Sequence, residues 1–125
     1  MDARQLMLGD YVFNTELGKN EIDKVVVIDT TRVLLENGKL YTPINYIEPI
    51  PLTEAILEKF GIEEFCWPLF RFHDDKGFEI TKDYYGDYYW SIDYSAYRIV
   101  RLHYVHELQH VLRLCGIDKE IKLNN

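Results

Sequence analysis

Cysteine is scarce in this sequence, with only Cys66 and Cys115 among 125 residues. Two are too few for a disulfide framework, so the expectation is a reducing compartment with both thiols free and buried. Long apolar runs are missing too: none approaches the ~18 residues of a membrane-spanning helix. Met1-Asp2-Ala3-Arg4-Gln5 leads into patterned sequence without the apolar centre of a secretory signal. A cytoplasmic protein with no membrane segment follows as the expectation. Basic charge is in deficit, since 14 Lys and Arg stand against 21 Asp and Glu for a formal charge of -7. Such a balance repels phosphate polymers and argues against nucleic acid as a partner unless a local basic face exists. Ser/Gly-rich linkers, low-complexity tracts and long repeats are also absent. With 47% hydrophobic and 28% charged residues, the chain has the composition of a folded globular protein.

What is present reads as an α+β chain. Leu6 to Phe13 reads as a strand interrupted by a Gly9-Asp10 turn, and Lys24-Val25-Val26-Val27-Ile28 is β-branched enough for a second strand. Arg32 to Glu36 and Lys39 to Thr42 flank Asn37-Gly38, a dipeptide suited to a two-residue type I′ hairpin because it tolerates positive φ. Several short strands closed by Pro43 to Ile47 predict a small curled barrel of the Src-homology-3 type over residues 1–52. The remainder, 53–125, is expected to pack with it as one unit. Thr53 can cap a helix from about Glu54 to Phe60, with Leu52 and Leu57 as a hydrophobic staple and Gly61 as a left-handed stop. Trp67 to His73 and Phe78 to Lys82 form a second predicted hairpin, turning at Asp74 to Gly77. Tyr88 to Ile92 and Arg98 to Leu102 extend an antiparallel meander. A terminal helix from about Tyr104 to Cys115 ends at Gly116-Ile117.

That helix carries His106-Glu107-Leu108-Gln109-His110, a literal H-E-x-x-H. On a helix the two imidazoles share one face and can hold a zinc ion, while Glu107 can act as general base on a metal-bound water. A catalytic zinc needs a third protein ligand. The extended pattern fails here, because Arg113 stands where its glycine would be and Gly116 where its third histidine would be. Asp118 and Glu120 are the only later carboxylates, and His73 or Glu79 upstream are unguided by spacing. A second reading needs no metal: Tyr104, Leu108, Val111, Leu112 and Cys115 form a buried stripe, leaving His106, Gln109, His110 and Arg113 on the wetter face.

Three segments carry a resemblance: Leu8-Gly9-Asp10-Tyr11-Val12, the hinge Ile47-Glu48-Pro49-Ile50-Pro51-Leu52-Thr53 followed by Ile56-Leu57-Glu58-Lys59, and Tyr104-Val105-His106-Glu107-Leu108-Gln109-His110 through Leu114. Their order and spacing resemble the uncharacterised small proteins of gut anaerobes and their phages and mobile elements. Those chains join the same hinge to an aromatic-rich meander and a terminal helix. In that pattern glutamine often stands at the position of Glu107 and asparagine sometimes at that of His110. The resemblance therefore implies that the H-E-x-x-H is incidental, and it brings no activity with it.

Ten tyrosines are unusually many, and Tyr84, Tyr85, Tyr88, Tyr89, Trp90, Tyr94 and Tyr97 cluster in one stretch. Strand alternation sends Tyr88, Trp90 and Ile92 to one face and Tyr89 and Ser91 to the other, so part of the cluster is core and part can contact a partner. Arg98, Arg101 and Arg113 stand in a basic segment that follows an acidic one, and the two segments can pair with each other or meet an acidic surface. The leading reading is a non-catalytic protein-interaction module without a cofactor, using Tyr84, Tyr85, Tyr89, Tyr94, Arg98, Arg101 and Arg113. Its partner is an unidentified protein or a second copy of the chain. The alternative is a small zinc-dependent metallopeptidase with His106 and His110 as ligands and Glu107 as base.

Overall fold

A computed structural model describes residues 1–72, 78–92, 100–117 and 123. The chain is α+β and divides into two compact units, Met1–Pro51 with Tyr104–Asn125, and Leu52–His103. Among the described residues no helix is long and apolar enough to cross a membrane.

In the first unit β1 (Tyr11–Asn14), β2 (Glu21–Ile28), β3 (Arg32–Leu35), β4 (Thr42–Pro43) and β5 (Ile47–Glu48) form one antiparallel sheet in the order β4-β3-β2-β1-β5. Leu6, Val12, Val25, Val33, Leu35 and Ile47 make its apolar core, as the period-two pattern of β2 and β3 requires. The sheet is open, with β4 and β5 at opposite edges, so the closed barrel expected here is not formed. The reason lies between β3 and β4. Residues 36–41 make a loop rather than a two-residue turn, and only Thr42–Pro43 remains to pair with β3. Gly38 lies outside the left-handed region. Asn37 instead turns to Asp23, whose Oδ1 accepts from its backbone N at 3.3 Å and its Nδ2 at 3.2 Å. The antiparallel pairing was legible, and the turn chemistry was not.

α2 (Val105–Leu114) belongs to this first unit. Val105 N donates to Ile50 O at 2.9 Å as the chain returns. Its end is the expected glycine stop: Gly116 has φ +70°, its N–H reaches Arg113 O at 3.0 Å, and Ile117 N–H reaches Leu112 O at 2.9 Å. That pair of bonds is a Schellman ending. Val105, Leu108, Val111 and Leu112 are buried, but Tyr104 and Cys115 of the predicted stripe are exposed. The buried stripe therefore starts one residue later than predicted.

The second unit starts with α1 (Glu54–Lys59), capped as expected by Thr53 Oγ1, which accepts from Ile56 N at 3.3 Å. Gly61 has φ +78°, which a residue with a side chain rarely adopts. Then β6 (Ile62–Cys66), β7 (Leu69–Phe72), β8 (Phe78–Lys82), β9 (Tyr88–Ile92) and β10 (Val100–Leu102) run as a plain meander, β10-β9-β8-β7-β6. Phe70, Ile80 and Trp90 are register partners across three strands and are all buried. β6 is a strand where none was expected, and the turn around Trp67-Pro68 lies where a strand was expected to begin. Both cysteines are exposed, not buried.

Candidate functional site

The most polar buried point of the first unit is Asp10, fully shielded from solvent. It sits in a tight turn before β1: Gly9 takes φ +88°, Gly9 N donates to Val25 O at 2.7 Å, and Val25 N donates to Asp10 O at 2.9 Å. Burying a carboxylate is costly unless its oxygens are bonded and its charge is matched. Here Oδ2 accepts from Met7 N at 2.8 Å and faces His110 Nε2 at 2.6 Å, while Oδ1 accepts from Arg113 NH1 at 2.9 Å. Gln109 completes the arrangement, donating from Nε2 to Gly9 O at 2.9 Å and accepting at Oε1 from Tyr11 N at 2.8 Å. One turn of α2 thus holds the backbone on both sides of Asp10 and the side chain between.

The H-E-x-x-H residues are drawn into this arrangement. His110 is spent on Asp10. Glu107 Oε1 accepts from Tyr104 N at 2.9 Å, the reach-back bond of a helix N-terminus. His106 is only 5% exposed, which corrects its expected place on the wetter face. Its ring stacks on Tyr104, with centroids 5.8 Å apart, and meets His110 edge-on at 5.6 Å. Among the described residues its Nδ1 has no hydrogen-bond partner. Burial pushes the His106 pKa down, against the opposing pull of the Asp10 and Glu107 charges, so the ring stays neutral at neutral pH. The described residues bring together no group of three His, Cys, Asp or Glu side chains that could hold a metal ion. Of the third ligands considered from sequence, Glu79 is buried in the second unit beside Arg71, whose Nε lies 3.4 Å from its Oε1. His73, Asp118 and Glu120 lie outside the described residues.

The proposed contact residues separate. Tyr84 and Tyr85 are 89% and 86% exposed, on a turn where Asp83 Oδ1 accepts from Tyr85 N and Asp87 N, each at 2.9 Å. Their rings meet edge-on at 5.7 Å. Tyr89 is half-buried on β9, and Arg101 on β10 pairs with Asp87 at 2.9 Å, so the basic and acidic segments do meet there. Arg113 belongs to the Asp10 arrangement instead. Tyr94 and Arg98 lie outside the described residues.

No family model, curated protein or solved structure matches the chain. The geometry adds residues that the sequence alone did not single out. Phe65 and Trp67 are 65% and 60% exposed around the β6–β7 turn. That turn and the Tyr84-Tyr85 turn lie at the same end of the meander, where Lys82 N donates to Pro68 O at 2.9 Å. The Trp-Pro dipeptide was the available signal, since a residue before proline avoids helix and favours an extended or turning chain. Asp10 was missed as well, because nothing near it in sequence betrays a partner in α2.

Proposed function

We propose that this chain is a non-catalytic protein-interaction module, of the kind carried by phages and mobile elements, that meets a protein partner through the aromatic end of its meander. The observation that carries this reading is the exposure of Trp67, Tyr84 and Tyr85 on two neighbouring turns of one sheet. Aromatic rings offer large apolar area with few rotamers to freeze, and they are enriched at the energetic centres of interfaces. The tasks held by Glu107, His110 and Gln109 within the first unit support it further, because each explains a motif residue through folding. The test is a photo-crosslinking amino acid placed at Tyr84 or Tyr85 in cells that make the protein. A discrete protein adduct is expected, with the purified partner binding the wild type and at least about tenfold more weakly a Trp67→Ser/Tyr84→Ser/Tyr85→Ser variant. No adduct at either position, or unchanged binding by that variant, would overturn the reading.

A further inference from the structure

Among the described residues β6 is the outermost strand of the second sheet, with no strand on its far side. Among the described residues no backbone hydrogen bond reaches residues 62–66 from outside the β6–β7 ladder. Such an edge presents a row of open N–H and C=O groups that can template another strand. The first unit guards its edges by brevity, since β4 and β5 each run two residues and β4 holds Pro43. β6 is different: five residues long, exposed at all but Ile62, with neither proline nor lysine, and its one irregularity is a register shift against β7 between Glu64 and Cys66, which leaves Ile62 to Glu64 in regular pairing.

Its charges select what can join it. Glu63 and Glu64 are exposed and form no ion pair within 4.0 Å among the described residues; Arg71, the cross-strand register partner of Glu63, lies instead with Nε 3.4 Å from Glu79 Oε1 and Cζ 3.7 Å over the Phe65 ring. A second copy pairing its whole β6 antiparallel to this one would set Glu64 against Glu64 and Glu63 against Phe65. Like charges directly opposite destabilise such a pair. A strand carrying cations meets the reverse condition, with Glu63 and Glu64 reaching from opposite faces of the pleat.

We propose that β6 is a docking edge for an extended, basic segment of a protein partner, which adds to the second sheet as a further strand. Main-chain hydrogen bonds to residues 62–66 hold it in place, and Lys or Arg side chains at successive positions meet Glu63 and Glu64. This rests on the interaction-module reading and names the partner's chemistry, while using a different surface from the crosslinking positions.

The experiment is NMR on the full isotope-labelled chain, titrated with a synthetic peptide alternating lysine and threonine. Controls are the same peptide N-methylated at alternate residues and a peptide with glutamate for lysine. Saturable shifts at residues 62–66 are expected, with amide exchange there slowed about tenfold and affinity falling about tenfold between low and high salt. The N-methylated and glutamate peptides should not bind. A Glu63→Lys/Glu64→Lys variant, with an otherwise unchanged spectrum, should lose the lysine peptide and accept the glutamate one. Shifts confined to Trp67, Tyr84 and Tyr85 overturn the β6 proposal and leave the module reading standing. Equal binding of the N-methylated peptide, or no binding of the lysine peptide, overturns it as well, and the module reading is then judged by its crosslinks alone.

Discussion

At the scale of single residues, Asp10 has the largest predicted effect. It is fully buried, and three groups converge on its two oxygens. Asp10→Asn keeps the shape but sets an amide against His110 and Arg113. Removing one partner of a buried pair costs about 3 kcal/mol, and the part exposure of both cations brings the expectation nearer 2. The urea midpoint of the purified variant reads this directly, and a change below a few tenths of a kcal/mol would remove Asp10 from its central place. His106 gives the pH dependence. Its folded pKa is lowered by burial, so below about 6.5 the unfolded chain takes up a proton that the folded ring refuses. Stability contributed by the neutral ring is thus present above that pH and is lost as pH falls toward the depressed folded value. Tyr104 and His110 pack against the ring, and Asp10 and Glu107 supply the nearby charge. His106→Phe should flatten the decline below about pH 6.5 relative to wild type in denaturant melts, and an identical slope in both proteins would refute the assignment.

At the scale of elements, most of the helices and strands were legible, because their signals are local. Thr53 and Gly61 bracket α1, Gly116-Ile117 ends α2, and alternation marks β8 and β9. β6 was hidden because Glu63 and Glu64 give an edge strand little of the β-branched or apolar pattern that reveals a strand. The Asp10 arrangement was hidden for another reason: its partners lie 100 and 103 positions away in sequence, beyond the reach of any spacing rule. The Asn37-Gly38 loop shows a motif recognised with the wrong mechanism. A type I′ turn would make Gly38 essential for its positive φ, but here the Cβ of an alanine would meet its nearest atom at 3.5 Å, an ordinary contact. Gly38→Ala should therefore be neutral or slightly stabilising through the unfolded state. Asn37→Ala should cost about 1 kcal/mol by removing a side-chain bond to Asp23. Thermal melts of the two single variants separate the mechanisms, since the type I′ turn predicts a substantial loss for Gly38→Ala.

At the scale of the whole molecule, charge and sheet edges together decide association with a second copy. The net charge of -7 opposes close approach of two chains, although screening over about 8 Å at physiological salt weakens that term. Two of the arginines that sequence offered as contacts are already engaged within the chain, Arg101 by Asp87 and Arg113 by Asp10. The edges of the first sheet are too short to template a partner. Only β6 is long and open among the described edges, and there self-pairing sets Glu64 against its own copy. A monomer is thus expected in sedimentation velocity at both low and high salt, because the guard acts at contact distance as well as at range. Glu64→Val is the sharper test. It removes the opposed carboxylates and adds a β-branched residue to an edge that already carries Phe65, so concentration-dependent dimers should appear at tens of micromolar or below, on the order of −6 to −7 kcal/mol. A Glu63→Val control should associate less, since in the full-length pairing that position faces Phe65 rather than itself. A Glu64→Val variant that stays monomeric would show that something other than this carboxylate protects the edge.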